Sequence, residues 1–386
     1  MFSQRLANHA ELNALTRALG RLRTSGVAVV DLTESNPTHV GLSYPPDLLQ
    51  TLSAPEALRY EPAPLGRPDT RGAIAADHLR RGVPVDPDQV VLTASTSEAY
   101  AWLFKLLCDP GDAVMVPRPS YPLFEHLTRL EGVRTLPYDL AYHGRWEIDV
   151  AALRAAPPGV KAVIVVSPNN PTGSFISPRD LAEVSAVCGR CGWALVADEV
   201  FADYQLECDA PARDIAVHSD VLAFTLGGFS KALGLPQLKL GWMVVGGPTA
   251  LRAPARSGLE LIADTFLSVS TPVQLAAADL LARGAPVRAQ IHERVRANLR
   301  TLRALAASFP ACDVLRAEGG WSAVVRVPAT RSEEQLVLQL LEQEHVLVHP
   351  GFFFDFQHEA FVVLSLLPEP HVFAAAVERV LRVAQS

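Results

Sequence analysis

Between residues 90 and 246 the chain returns repeatedly to short runs that are apolar at nearly every position, not at every second one. They fall at 90–94, 113–117, 162–167, 194–199, 221–226 and 240–246, with a weaker one at 134–139. A strand with two apolar faces must be covered on both sides, as in a parallel sheet packed between helices. Helix-like stretches separate several of the runs, so the pattern predicts an α/β fold: a large domain with a mostly parallel seven-stranded sheet between helices. Beyond about residue 275 the pattern changes to helical periodicity over 274–309, strands near 321–327, 346–349 and 361–366, and a helix over 371–384. These predict a smaller α+β domain. The expected division is an N-terminal arm and part of the small domain at 1–45, the large domain at 46–275 and the small C-terminal domain at 276–386. Residues 1–20 mix Arg5, Glu11 and Arg17 with spaced leucines, an amphipathic helix rather than a leader sequence.

A net charge of −7 leaves no general basic field for nucleic acid. No apolar run approaches the roughly 18 residues that span a bilayer, so no membrane partner is expected. Five scattered cysteines imply no disulfide framework, and the pair Cys188 and Cys191 reads as structural. A reducing, cytoplasmic setting fits. His345 and His349 follow a strand-like spacing without acidic company, so no metal site is expected.

Ligands of open parallel sheets bind beyond the carboxyl ends of the strands. After the run at 90–94 come Ser95, Thr96, Ser97 and Glu98, a hydroxyl-rich helix start suited to an anion. After 162–167 comes the turn sequence Pro168-Asn169-Asn170-Pro171-Thr172-Gly173, and after 194–196 the acids Asp198 and Glu199. A buried acid needs a partner. After 221–226 comes Gly227-Gly228-Phe229-Ser230-Lys231-Ala232-Leu233-Gly234. Of the 34 basic residues only Lys105, Lys161, Lys231 and Lys239 are lysines, and Lys231 alone is glycine-flanked at a strand end. An amine can act as a nucleophile where a guanidinium cannot. An anion cradle, an amide, a carboxylate and an amine at four strand ends are the set that pyridoxal 5'-phosphate (PLP) requires.

In order and spacing, Asn36-Pro37, Tyr60 with Gly66, Ser95 to Glu98, Tyr121, Asn170 to Gly173, Asp198-Glu199, Ser230-Lys231 and Lys239-Leu240-Gly241 resemble the class I/II aminotransferases, the fold type I PLP enzymes, over nearly the whole chain. The resemblance implies that Lys231 holds PLP as a Schiff base and later moves the substrate proton. By the same resemblance Asp198 pairs with the pyridine nitrogen, Asn170 bonds the ring's phenolic oxygen and Tyr121 stacks on the ring. Ser95, Thr96, Ser97, Ser230 and Lys239 would hold the phosphate, and Tyr60 would reach the partner's phosphate in a homodimer with shared sites. The implied reaction moves an amino group between an amino acid and a 2-oxo acid. The alternatives are a PLP-dependent lyase, decarboxylase or cyclase, and a PLP-binding regulator without turnover.

Four positions depart from the family pattern. Phe201 stands where a tyrosine is common, Gly228 for a phosphate-binding serine and Lys239 for an arginine. Val363 stands where an arginine grips the substrate α-carboxylate, and no arginine lies between His349 and Glu378. Either another cation takes over, with Arg67 and Arg326 nearest by chain position, or the substrate presents something other than a free α-carboxylate. The first is favoured, because Asn170 remains available as a second carboxylate ligand.

Overall fold

The computed structural model describes residues 3–6, 13–208 and 214–386. Each of the seven apolar runs contains a strand, and these share one sheet with a short eighth. Its order is Val90–Thr93, Gly241–Gly246, Ala223–Gly228, Ala194–Asp198, Val160–Val166, Ala113–Arg118, Arg134–Tyr142 and Trp146–Ile148. The strands from Ala223–Gly228 across to Arg134–Tyr142 are parallel, whereas Gly241–Gly246 runs against both its neighbours. Trp146–Ile148 folds back antiparallel on Leu140, Ala141 and Tyr142, and three residues are too few to stand out as an apolar run.

Alternate residues of the central strands go to opposite faces, and both faces are covered. Val114, Ile164, Val196 and Phe224 pack with Leu103 and Leu259 on one side; Met115, Val163, Val165 and Leu195 pack with Val184 and Val187 on the other. One helix on the first face, Thr249–Phe266, is concealed in the sequence by Pro254 and Gly258 inside it.

The expected helical stretch at 274–309 is three helices, Thr271–Leu275, Ala277–Arg283 and Ala285–Ala306. Pro286 sits in the first turn of the last one, where its missing N–H costs nothing. A second sheet is fully antiparallel, in the order Asp313–Val314, Ser322–Arg326, Phe361–Ser365, His349–Pro350. Residues 346–349, expected as one strand, serve two sheets: Val346–Leu347 pairs in parallel with Val30–Asp31, and His349–Pro350 pairs with Val362 and Val363. Ala323, Val325, Val362 and Leu364 face a core shared with Leu15, Ala18, Leu32, Val295 and Phe373. Val324 and Val363 face the other way, with Trp146 and Phe354. The amphipathic helix expected at 1–20 is observed as Ala14–Thr24, capped by Asn13, whose side chain accepts from Thr16 N at 2.8 Å. Residues 1–2 and 7–12 of that expectation lie outside the described residues.

Candidate active site

Because the strands before Ser95, Tyr121, Asn170, Glu199 and Phe229 all point the same way, their carboxyl ends share one edge. A cavity of about 650 Å³ opens there, and Thr96, Ser97, Tyr121, Asn170, Asp198 and Lys231 all line it. Its other walls carry Phe201, Trp321, Ser322, His349, Phe353, Phe354, Val363 and Ser365.

Lys231 lies in the short helix Phe229–Ala232, anchored by the fully buried Phe229. The buried Tyr204 donates its hydroxyl to the Lys231 carbonyl at 2.6 Å, fixing the backbone beneath the side chain. Nζ sits 4.9 Å from the centroid of the Trp321 ring and 5.5 Å from that of Phe201. Removal from water lowers its pKa from the ordinary 10.5 to about 8, against the opposing pull of Asp198. About a tenth of the amine is therefore free base at pH 7, and about half at pH 8.

Asp198 ends the strand Ala194–Asp198 and is held in place by two donors, Tyr100 Oη to Oδ2 at 2.9 Å and Val200 N to Oδ1 at 3.2 Å. Burial raises its pKa, and these two bonds together with Lys231 oppose the rise. The adjacent Glu199 points away from the cavity and accepts the backbone N–H groups of Asp214 and Ile215 at 2.7 and 2.9 Å. It is pushed up by burial and by Asp214, while Arg81 pulls it back. One acid serves the cavity and the other a loop.

The helix Thr96–Leu107 starts at the cavity, so its N-terminal N–H groups and the Thr96 and Ser97 side chains could hold an anion there. Ser95 is its N-cap and accepts from Glu98 N at 3.2 Å instead of lining the cavity. The facing strand passes close by at Gly241, where a Cβ would lie a tight 3.0 Å from the Ser95 carbonyl carbon. Asn170 is approached by Ser322, whose hydroxyl donates to its Oδ1 at 3.4 Å across from the second sheet. Tyr121 is 47% exposed, so it is a wall residue and not a core aromatic. Ser230 and the exposed Lys239 do not line the cavity, and Lys239 adopts a left-handed φ of 52°. Tyr60 is 74% exposed and lines a separate small cleft with Glu61 and Leu267.

A family model for aminotransferase class I and II matches residues 27–372. The chain belongs to that family. This aminotransferase is 29% identical over 379 residues to the alanine aminotransferase of Mycobacterium tuberculosis, covering 93% of this chain and 86% of that one. It is 27% identical over 350 residues to the glutamate-pyruvate aminotransferase of Escherichia coli, with 87% and 85% covered. Its structure resembles an Escherichia coli aminotransferase with a TM-score of 0.86 at 25% identity, covering 99% and 97% of the two chains. It likewise resembles the alanine aminotransferase of Pyrococcus furiosus with a TM-score of 0.87 at 23% identity, covering 99% of each. The fold is PLP fold type I.

Val363 does line the cavity of the aminotransferase, and neither proposed substitute cation joins it. Arg67 immediately precedes the helix Pro68–Arg80 and pairs with Asp69 at 3.2 Å and Glu61 at 3.6 Å. Arg326, at the far end of its strand, is half exposed and pairs with Asp313 at 2.7 Å. No arginine is among the described residues that line the cavity. Sequence reasoning missed Tyr100, Trp321 and Ser322, and it treated His349 only as part of a strand. Tyr100 and Trp321 carried a faint signal, as polar-tipped aromatics inside otherwise apolar segments. Ser322 and His349 carried none, because only the second sheet brings them to the cavity.

Proposed function

We propose that this aminotransferase works with PLP carried on Lys231 and moves an amino group between a neutral amino acid and a 2-oxo acid. The observation that carries this reading is the desolvated Lys231 amine beside the doubly anchored Asp198 carboxylate, at the mouth of the helix bearing Thr96 and Ser97. Class I and II aminotransferases are PLP-dependent, and these residues fit the group. The cofactor, when bound, supplies an aldehyde that takes the amine and a pyridine ring that accepts electron density from the substrate's α-carbon. Thr96, Ser97 and the helix N-terminus would bind its phosphate. Asp198, kept ionised by a cationic ring nitrogen, would hold the proton on that nitrogen through a charge-assisted bond. Asn170 would orient the ring and Tyr121 would cover it. Released from its covalent role, the Lys231 amine has the low pKa needed to take the proton from the substrate α-carbon and return it.

A neutral substrate side chain is supported by the aromatic wall of Tyr121, Trp321, Phe353 and Phe354 and by the lack of any arginine among the described lining residues. Alanine and pyruvate, which appear in the names of the relatives, have side chains of that kind, whereas glutamate, in one of those names, does not. A homodimer is supported by exposed apolar side chains at Leu58, Tyr60, Leu261 and Phe266. Five scattered cysteines suit a reducing, cytoplasmic compartment. Among the described residues no helix is long and apolar enough to cross a membrane.

Incubating holoenzyme with single amino acids tests the reaction. Conversion of the cofactor spectrum to its amino form, with a matching 2-oxo acid, is expected for neutral amino acids. Release of carbon dioxide or ammonia without that conversion would overturn it.

A further inference from the structure

The second sheet turns one face towards the cavity. Ser322 and Ser365 are cross-strand partners, as are His349 and Val363, and all four line the cavity. Side chains directly opposite one another on antiparallel strands share a face, so His349 stands beside Val363 above the same space. The imidazole is packed against Phe353 and Phe354, with ring centroids 5.8 and 5.6 Å away, and its Nδ1 is buried with no hydrogen-bond partner. The indole nitrogen of Trp321, on the same wall, is also buried without a partner. Buried polar groups of this kind are rare in folded proteins unless something outside the chain satisfies them. Both amino acids and 2-oxo acids carry a carboxylate that must find donors. The described wall offers them no guanidinium, and Lys231 and Asp198 are engaged in the chemistry.

We propose that His349 is the specificity-determining residue for the substrate carboxylate, donating to it from the strand beside Val363, with the Ser322 hydroxyl and the Trp321 indole alongside. This rests on the aminotransferase reading of the cavity given above. A neutral imidazole offers a single N–H donor where a guanidinium offers a two-pronged fork. The site should therefore select monocarboxylic substrates with a looser grip than an arginine gives. Burial lowers the pKa of His349 while Asp31, the charged group felt from the neighbouring two-stranded sheet, raises it. A bound carboxylate would act in the same direction as Asp31.

The test compares wild type, His349→Gln and His349→Ala holoenzymes with L-alanine, with L-alaninamide, which lacks the carboxylate, and with pyruvate. Loss of a bond to a charged group predicts that KM for L-alanine and pyruvate rises about tenfold or more in His349→Ala. kcat should stay within a few fold, and the preference for L-alanine over L-alaninamide should collapse. His349→Gln, which keeps an N–H donor, should recover part of the loss. Unchanged KM values, or equal losses for acid and amide, would overturn the assignment. A thermal midpoint and cofactor absorbance matching wild type separate these outcomes from misfolding, and in a misfolded His349→Ala protein the His349→Gln values decide. Failure of wild type to convert any amino acid would overturn the underlying reaction along with this role.

Discussion

At Lys231 the amine is 4.9 Å from the Trp321 ring centroid, and loss of water is what lowers its pKa to about 8. In cofactor-free protein the rate of PLP capture should climb about tenfold per pH unit and level off near pH 8, because only the free base attacks. Stopped-flow absorbance between pH 6.5 and 9.5 reads this directly; a rate still climbing at the upper limit would mean an ordinary lysine. The sign for stability is also set. Between about 8 and 10.5 the unfolded chain holds a proton that the folded one has released, so cofactor-free protein gains stability as pH rises through that window. The second residue-scale prediction concerns Tyr100, whose hydroxyl bond counts among the influences that keep Asp198 from rising further. Tyr100→Phe should cost about 1–3 kcal/mol in urea unfolding by stripping a buried acceptor. Its kcat profile should also lose activity at a higher pH on the acid side, because a carboxylate with a raised pKa protonates earlier as pH falls. An unmoved acid limb would show that Tyr100 is only packing.

Two backbone segments meet where the sheets touch. Gly319 N donates to Gly173 O at 2.8 Å, and Leu206 N donates to Glu318 O at 2.8 Å. Glu318 is almost fully buried and accepts from Phe175 N at 3.0 Å. This strap sets the distance between the loop carrying Asn170 and the segment carrying Trp321 and Ser322. Gly173 has a φ of +69°, and a Cβ there would lie 2.7 Å from the Gly319 carbonyl oxygen. Gly173→Ala should therefore destabilise the protein by about 2 kcal/mol or more, from the left-handed backbone and the clash together. It should also raise KM for amino acids, as the wall bearing Ser322 moves away from Asn170. Thermal unfolding and steady-state kinetics check the two effects, and a variant with a wild-type midpoint would remove the strap from the account.

For the molecule as a whole, the three most exposed large apolar side chains among the described residues, Leu58, Tyr60 and Leu261, fall in two stretches. Leu58 is 94% and Tyr60 74% exposed in one, and Leu261 is 72% and Phe266 52% exposed in the other. The cleft lined by both Tyr60 and Leu267 shows that the two stretches adjoin. Apolar surface gathered in this way marks an association face. Sedimentation equilibrium should give twice the chain mass of 41.6 kDa. The double variant Leu58→Arg, Leu261→Arg should shift the protein to monomer and lose most of its activity. A fully active monomer would leave the Tyr60 loop without a role across an interface.

The layered fold and the family were legible in the chain itself, for a physical reason. Strands covered on both faces must be apolar throughout, and chemistry at a sheet edge must follow each strand, so Thr96, Asn170, Asp198 and Lys231 could be located by position along the chain. The opposite wall could not. Ser322, His349 and Val363 come from strands paired antiparallel over long sequence separations, and nothing local in the chain says which of their alternating faces meets the cavity. The same holds for Tyr100, whose partner Asp198 lies 98 residues away. Distance in sequence carries no record of such contacts; the chain itself shows a valine where an arginine is expected, but only packing the two sheets around one cavity decided that an imidazole and two hydroxyls stand beside it.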